Sequence, residues 1–147
     1  MTARAARGLF VAEPPAQYLA RPPVVVDCSA VAGVVFSEPW RDQASDQIRG
    51  RSLKAPYLLQ SEITSVALKK HRQGFAQEAD DGLAFFGDMD VELHPVSPAA
   101  VLAIALRYKL SAYDAAYLWL AADLKCPLAT FDEKLATAAK AHLASLP

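Results

Sequence analysis

At 147 residues, 53% apolar and 21% charged, the chain can bury a sizeable core of its own, which excludes a disordered or fibrous polypeptide. A formal net charge of −1 provides no basic field for drawing in nucleic acid, so any such attraction must be local or carried by bound cations. No apolar run approaches the roughly 20 residues of a membrane span. His71, His94 and His142 lack zinc-site spacing, and Cys28 and Cys126 are too far apart in sequence for a C-x-x-C pair.

Residues 1–22 read as an N-terminal extension and residues 23–147 as the folded domain. The extension's only apolar stretch, Leu9 to Ala12, is stopped by Glu13-Pro14-Pro15, too short for a signal-peptide core. With no disulfide framework, a reduced, cytoplasmic setting is the default expectation. Pro23-Val24-Val25-Val26-Asp27 predicts a strand buried on both faces, as in a parallel sheet. Ser29 is placed to cap a helix through Phe36, and a second helix follows Pro39 as far as Ile48. Leu53 to Pro56 is short enough to be only a brief strand.

Helical spacing of Leu59, Ile63, Val66 and Ala67 runs from Tyr57 to the stop at Gly74. Another helix spans Phe75 to Met89, and Val91 to Val96 alternates as a strand does. Ser97-Pro98 opens a helix to about Lys109. Ser111-Ala112-Tyr113-Asp114 opens the next as a capping box, and its apolar run to Leu124 predicts a largely buried helix. Pro127 to Thr130 is a short strand, and Asp132 starts the last helix. Strands alternating with helices predict an α/β fold, a three-layer α/β/α sandwich with a mainly parallel central sheet.

That topology makes four acids informative. Strand C-termini and helix N-termini share one edge of a parallel sheet, where ligands bind. Asp27 ends the first strand, Asp132 follows the last, Glu62 lies early in the helix after the second, and Asp114 lies in the first turn of its helix. Asp114 and Asp132 each also fit a helix-capping role, and only the joint placement favours a site. Carboxylates held together repel unless a cation neutralises them, and oxygen-only ligands suit Mg²⁺ or Mn²⁺. Phosphodiester hydrolysis is the chemistry that such ions support.

The stretches Val24 to Ser29, Ser61 to Ala67, Ser111 to Ala121 and Leu128 to Ala136 together resemble a PIN-domain nuclease, and more narrowly the VapC ribonuclease toxins of bacterial toxin–antitoxin pairs. The resemblance implies a Mg²⁺- or Mn²⁺-dependent endoribonuclease with Asp27, Glu62, Asp114 and Asp132 as its acidic site. It implies Ser29 and Thr130 as hydroxyl-bearing supporters, an RNA substrate, a homodimer and a cognate antitoxin laid over the acidic groove. Lys134, beside Asp132, is a candidate phosphate contact. Lys69 and Arg72 are others, although a solvated helix end explains them as well. Tyr117 and Trp119 read as core.

Three departures from the family pattern stand out. About twenty residues precede the first strand, the chain offers little for a strand after the final helix, and Ser65 stands where asparagine is frequent. Two other readings stay open: a PIN-like binding module without catalysis, and a PIN nuclease of RNA processing outside a toxin–antitoxin pair. A haloacid-dehalogenase phosphatase needs a second aspartate where Ser29 stands. A receiver domain needs an aspartate where the third strand ends in His94-Pro95. Both are disfavoured.

Overall fold

The computed structural model describes Leu9, Phe10, Ala12 and residues 21–147. The expected N-terminal extension therefore lies almost wholly outside the described residues. Within them the chain runs β1 (Pro23–Val26), α1 (Cys28–Val35), α2 (Arg41–Ile48), β2 (Ser52–Pro56), α3 (Leu58–Arg72) and α4 (Ala76–Asp88). It continues through β3 (Val91–His94), α5 (Pro98–Tyr108), α6 (Ala112–Leu124), β4 (Leu128–Ala129) and α7 (Glu133–Ala144).

All pairings are parallel, in the order β3-β2-β1-β4. Right-handed crossovers dictate the layers. The chain steps outward from β1 to β2 to β3, so α1 to α4 gather on one face, where α3 packs on α4 and α1 on α2, α3 and α4. It then returns across the sheet to β4, which puts α5, α6 and α7 on the other face, with α6 against β1 and β2. The result is the α/β/α sandwich expected from the alternation of elements.

Val24, Val25 and Val26 are buried on both faces, as consecutive β-branched residues in the middle of a covered sheet should be. Helix α6 joins the two halves of the core. Tyr117, Leu120 and Ala121 pack with the β1 valines and Leu59, while Ala115, Ala116 and Leu118 pack with Val101, Ile104 and Leu135. Because it is covered on almost every side, its sequence is apolar nearly all round.

Several boundaries differ from expectation. The cap of α1 is Asp27 rather than Ser29: the Asp27 carboxylate accepts from the Ala30 amide, and Ser29 falls inside the first turn. The segment read as only a brief strand is a five-residue central strand paired on both sides, because tertiary pairing supplies what the Lys54 and Pro56 positions lack in strand propensity. Strand β3 stops at His94, two residues short, where Pro95 breaks the ladder. After α7 the chain ends in a turn, so among the described residues the sheet has four strands.

Candidate active site

The connection leaving β1 goes to one face of the sheet and the connection leaving β4 goes to the other. Their C-terminal ends therefore flank the point where strand order reverses, the usual place for a ligand crevice in an open parallel sheet. Asp27 sits there, the one buried charged residue among those described, at 5% exposure.

Its carboxylate is held by three donors. The Ser29 hydroxyl and the Ala30 amide donate to Oδ1 at 2.7 and 3.0 Å, and the Thr130 hydroxyl donates to Oδ2 at 2.5 Å. The two hydroxyls are themselves fixed from the β4–α7 connection. Ser29 Oγ accepts from the Phe131 amide at 2.9 Å, and Thr130 Oγ1 accepts from the Asp132 amide at 3.0 Å. Each hydroxyl thus links a backbone N–H of that connection to one oxygen of Asp27, tying the ends of β1 and β4 together. Burial raises the Asp27 pKa, the three donors pull it back, and the Asp132 charge adds to the rise.

Asp132 caps α7, its Oδ1 accepting from the Leu135 amide at 2.8 Å, so the capping role and the place on the shared edge coexist. Asp114 stands in the first turn of α6, whose cap is Ser111, with the Asp114 amide donating to Ser111 Oγ at 3.1 Å. Partial burial raises the Asp114 pKa, followed by the charges of Asp132 and Asp27, while Ser111 and Lys134 lower it. Glu62, half-buried in the second turn of α3, accepts from the Tyr117 hydroxyl at 2.6 Å. Its pKa is raised by burial and then by Asp27 and Asp114, with Tyr117 opposing. Asp27 and Asp114 therefore lie within charge range of each other and of both Glu62 and Asp132.

Among the described residues no three of these side chains close to the distances of a preassembled ion cage. The chemistry of the donor set nonetheless fits a hard divalent cation: the donors are oxygens only, and burial and mutual repulsion disfavour the ionised form of at least three of them. Lys134 feels Asp114 across the same edge. Lys69 and Arg72 lie seven and ten residues beyond Glu62, set back along α3 by about 10 and 15 Å at the helical rise.

Tyr117 adds a contact at this edge that the sequence signals only weakly. It is core, as its helix suggested, yet its hydroxyl is committed to Glu62. The available signal was that a buried tyrosine needs a partner for its hydroxyl, and that three residues after Asp114 it lies on a neighbouring face of the same helix. The Cys28 thiol lies on the same side. Burial, with Glu62 and Asp27 nearby, pushes it up to about 12, which keeps it neutral and unreactive. A cavity of about 450 Å³ opens beside Glu62, lined by Cys28, Leu58, Ser65, Val66 and Tyr113.

The family profile described as the PIN domain matches residues 24–141. This chain belongs to the PIN-domain family. Within it, the chain is 34% identical over 122 residues to a VapC ribonuclease of Mycobacterium bovis and to ribonuclease VapC9 of Mycobacterium tuberculosis, covering 81% of this chain and 93% of each relative. It is therefore a PIN-domain protein of the VapC type. The PIN fold is seen again in a crystal structure of PAE2754 from Pyrobaculum aerophilum, which superposes with a TM-score of 0.63 at 21% identity, over 84% of this chain and 88% of that one.

Proposed function

We propose that this PIN-domain protein is an endoribonuclease dependent on Mg²⁺ or Mn²⁺ and the toxin of a toxin–antitoxin pair. Its substrate is RNA, its catalytic unit is residues 23–147, and its setting is the cytoplasm. The observation that carries the reading is the Asp27 carboxylate, buried and held by three donors at the strand-order reversal, with Glu62, Asp114 and Asp132 within charge range. The VapC relatives are named ribonucleases, which supports the same reaction here.

Asp27, Asp114, Asp132 and Glu62 would hold the cation. When bound, it offsets their charge and polarises the phosphodiester. Asp27 contributes a carboxylate that cannot swing, because both oxygens are anchored through Ser29 and Thr130. Glu62, with Oε1 held by Tyr117 and a pKa shifted upward, is suited to take the proton of an attacking water on Oε2. Lys134 offsets acidic charge at Asp114 and supplies a local cation for a phosphate on a chain whose net charge is −1. Lys69 and Arg72, exposed on the far turns of α3, reach only RNA running well past the acids.

The test incubates purified protein with mixed RNA, with and without Mg²⁺ or Mn²⁺, beside Asp27→Asn. Cleavage that needs the ion and the aspartate is the expected result. RNA left intact, or cut equally by the variant and in chelator, would sink the reading. A homodimer, with an antitoxin segment over the acidic edge, completes the proposal. Phe75 and Phe85, half-exposed at the start and in the last turn of α4, are apolar surface available to a second copy.

A further inference from the structure

Trp40 and Phe131 form an aromatic pair that the acids do not explain. Both residues keep more than a third of their surface in solvent, at 38% and 37% exposure. Trp40 lies just before α2 and Phe131 between Thr130 and Asp132, so their meeting is wholly tertiary. Their ring centroids are 6.2 Å apart at an interplanar angle of 49°. That tilt leaves ring surface uncovered, where a parallel stack would cover it.

The pair is anchored to the acidic site through one residue. The Trp40 indole N–H donates to the Ser29 carbonyl at 3.3 Å, and the Phe131 amide donates to Ser29 Oγ, the same hydroxyl that donates to Asp27. Gly33 on α1 lets the indole lie this close, since a Cβ there would meet Trp40 Nε1 at 2.6 Å. The indole and the Phe131 backbone are therefore anchored, both residues stay partly exposed, and Ser29 alone separates them from the Asp27 carboxylate. Fixed aromatic faces beside a phosphodiester site are what single-stranded RNA uses for base stacking.

We propose that Trp40 and Phe131 form a nucleobase-stacking subsite that holds one base of single-stranded RNA beside the phosphate being cut, on the β4 side of Asp27. The proposal rests on the endoribonuclease reading. Stacking tolerates any base, so the subsite positions the strand and leaves sequence choice to other contacts.

The test uses the full chain carrying Asp114→Asn, so that RNA is not consumed, and a short oligouridylate read by tryptophan fluorescence and direct titration. RNA is expected to quench the emission of Trp40, and Trp40→Phe to remove that quench while keeping affinity. Trp40→Ala and Phe131→Ala are expected to weaken binding roughly tenfold. Phe131→Leu keeps apolar bulk, and with it the fold, yet should lose affinity as the alanine variant does. An oligomer with one abasic residue beside the bond that is cut should bind the parent weakly and gain no further loss from Trp40→Ala.

Unchanged affinity in the alanine variants, full affinity in Phe131→Leu, or equal losses on intact and abasic RNA would each overturn the subsite. So would loss of binding to a protein partner with RNA affinity unchanged, which assigns the rings to protein docking. Outright absence of cleavage by the unsubstituted chain defeats the endoribonuclease reading and leaves the stacking result standing. Cleavage with an unaltered KM in Trp40→Ala defeats the subsite alone.

Discussion

Asp27 and Asp114 share one edge of the sheet, yet the chain holds them in opposite ways. Asp27 is buried, accepts three hydrogen bonds, and is locked to the β4–α7 connection by two hydroxyls that each bridge to a backbone amide. Asp114 is only partly buried, and its one nearby anchor is Ser111, which caps its helix. The carboxylate of Asp27 is held from several directions, and that of Asp114 has fewer restraints. Burial and neighbouring acids push both carboxyls up, but only around Asp27 do donors oppose the rise from several directions.

The sharpest break in that contrast is Asp27→Asn, expected to lower RNA cleavage by at least about a hundredfold, because an amide places a donor where Thr130 already donates. Single-turnover cleavage checks it, and a variant within a few-fold of the parent contradicts the assigned role. Thr130→Val should follow. It removes a donor from Asp27 and an acceptor from the Asp132 amide, costing about 1–3 kcal/mol of stability and roughly 10- to 100-fold in activity. Ser111→Ala on the other side should cost only the cap, about 1 kcal/mol. If denaturant titrations rank these two the other way, the β4 side is not the more tightly built half.

Tyr117→Phe tests the third acid. Without its donor, Glu62 loses the interaction that lowers its pKa, so the acid limb of the pH–rate profile should move to higher pH, with about 1 kcal/mol of stability lost. An unmoved limb would separate Glu62 from proton transfer. The smallest effect is on stability at the looser half. A carboxyl whose folded pKa lies above its unfolded value destabilises the fold while ionised, and relief comes as pH falls through the folded pKa. Asp114→Asn should therefore raise the melting midpoint at neutral pH, by roughly 2 °C given its exposure. The gain should fade as pH drops towards 3.8, the ordinary aspartate value. A gain that grows with acid would reverse the sign of the argument.

Much of the architecture was legible from local pattern. Three consecutive valines marked the central strand, Ser97-Pro98 and Ser111 marked helix starts, and alternation of elements implied the parallel sheet. Strand β2 was less legible, because its sequence is mixed and its strand character comes from neighbours on both sides. The four acids were legible as a set because parallel topology forces strand ends and helix starts to one edge. Their hydrogen-bonding partners were less so. Tyr117 reaching Glu62 across 55 residues and Trp40 meeting Phe131 across the β1–β4 boundary depend on side chains distant in sequence, while at the start of α1 two neighbouring cap candidates, Asp27 and Ser29, competed for one role.

By itself, then, the sequence determined the kind of fold and the edge on which the acids lie, which follow from periodicity and element order, while its short motifs carried the resemblance to the family. The tertiary structure decided which oxygen of Asp27 meets which hydroxyl, which acid has a fixed partner and which remains loose. Those outcomes depend on distances of a few ångströms between separate elements, and hydrogen bonding and burial change steeply over that range.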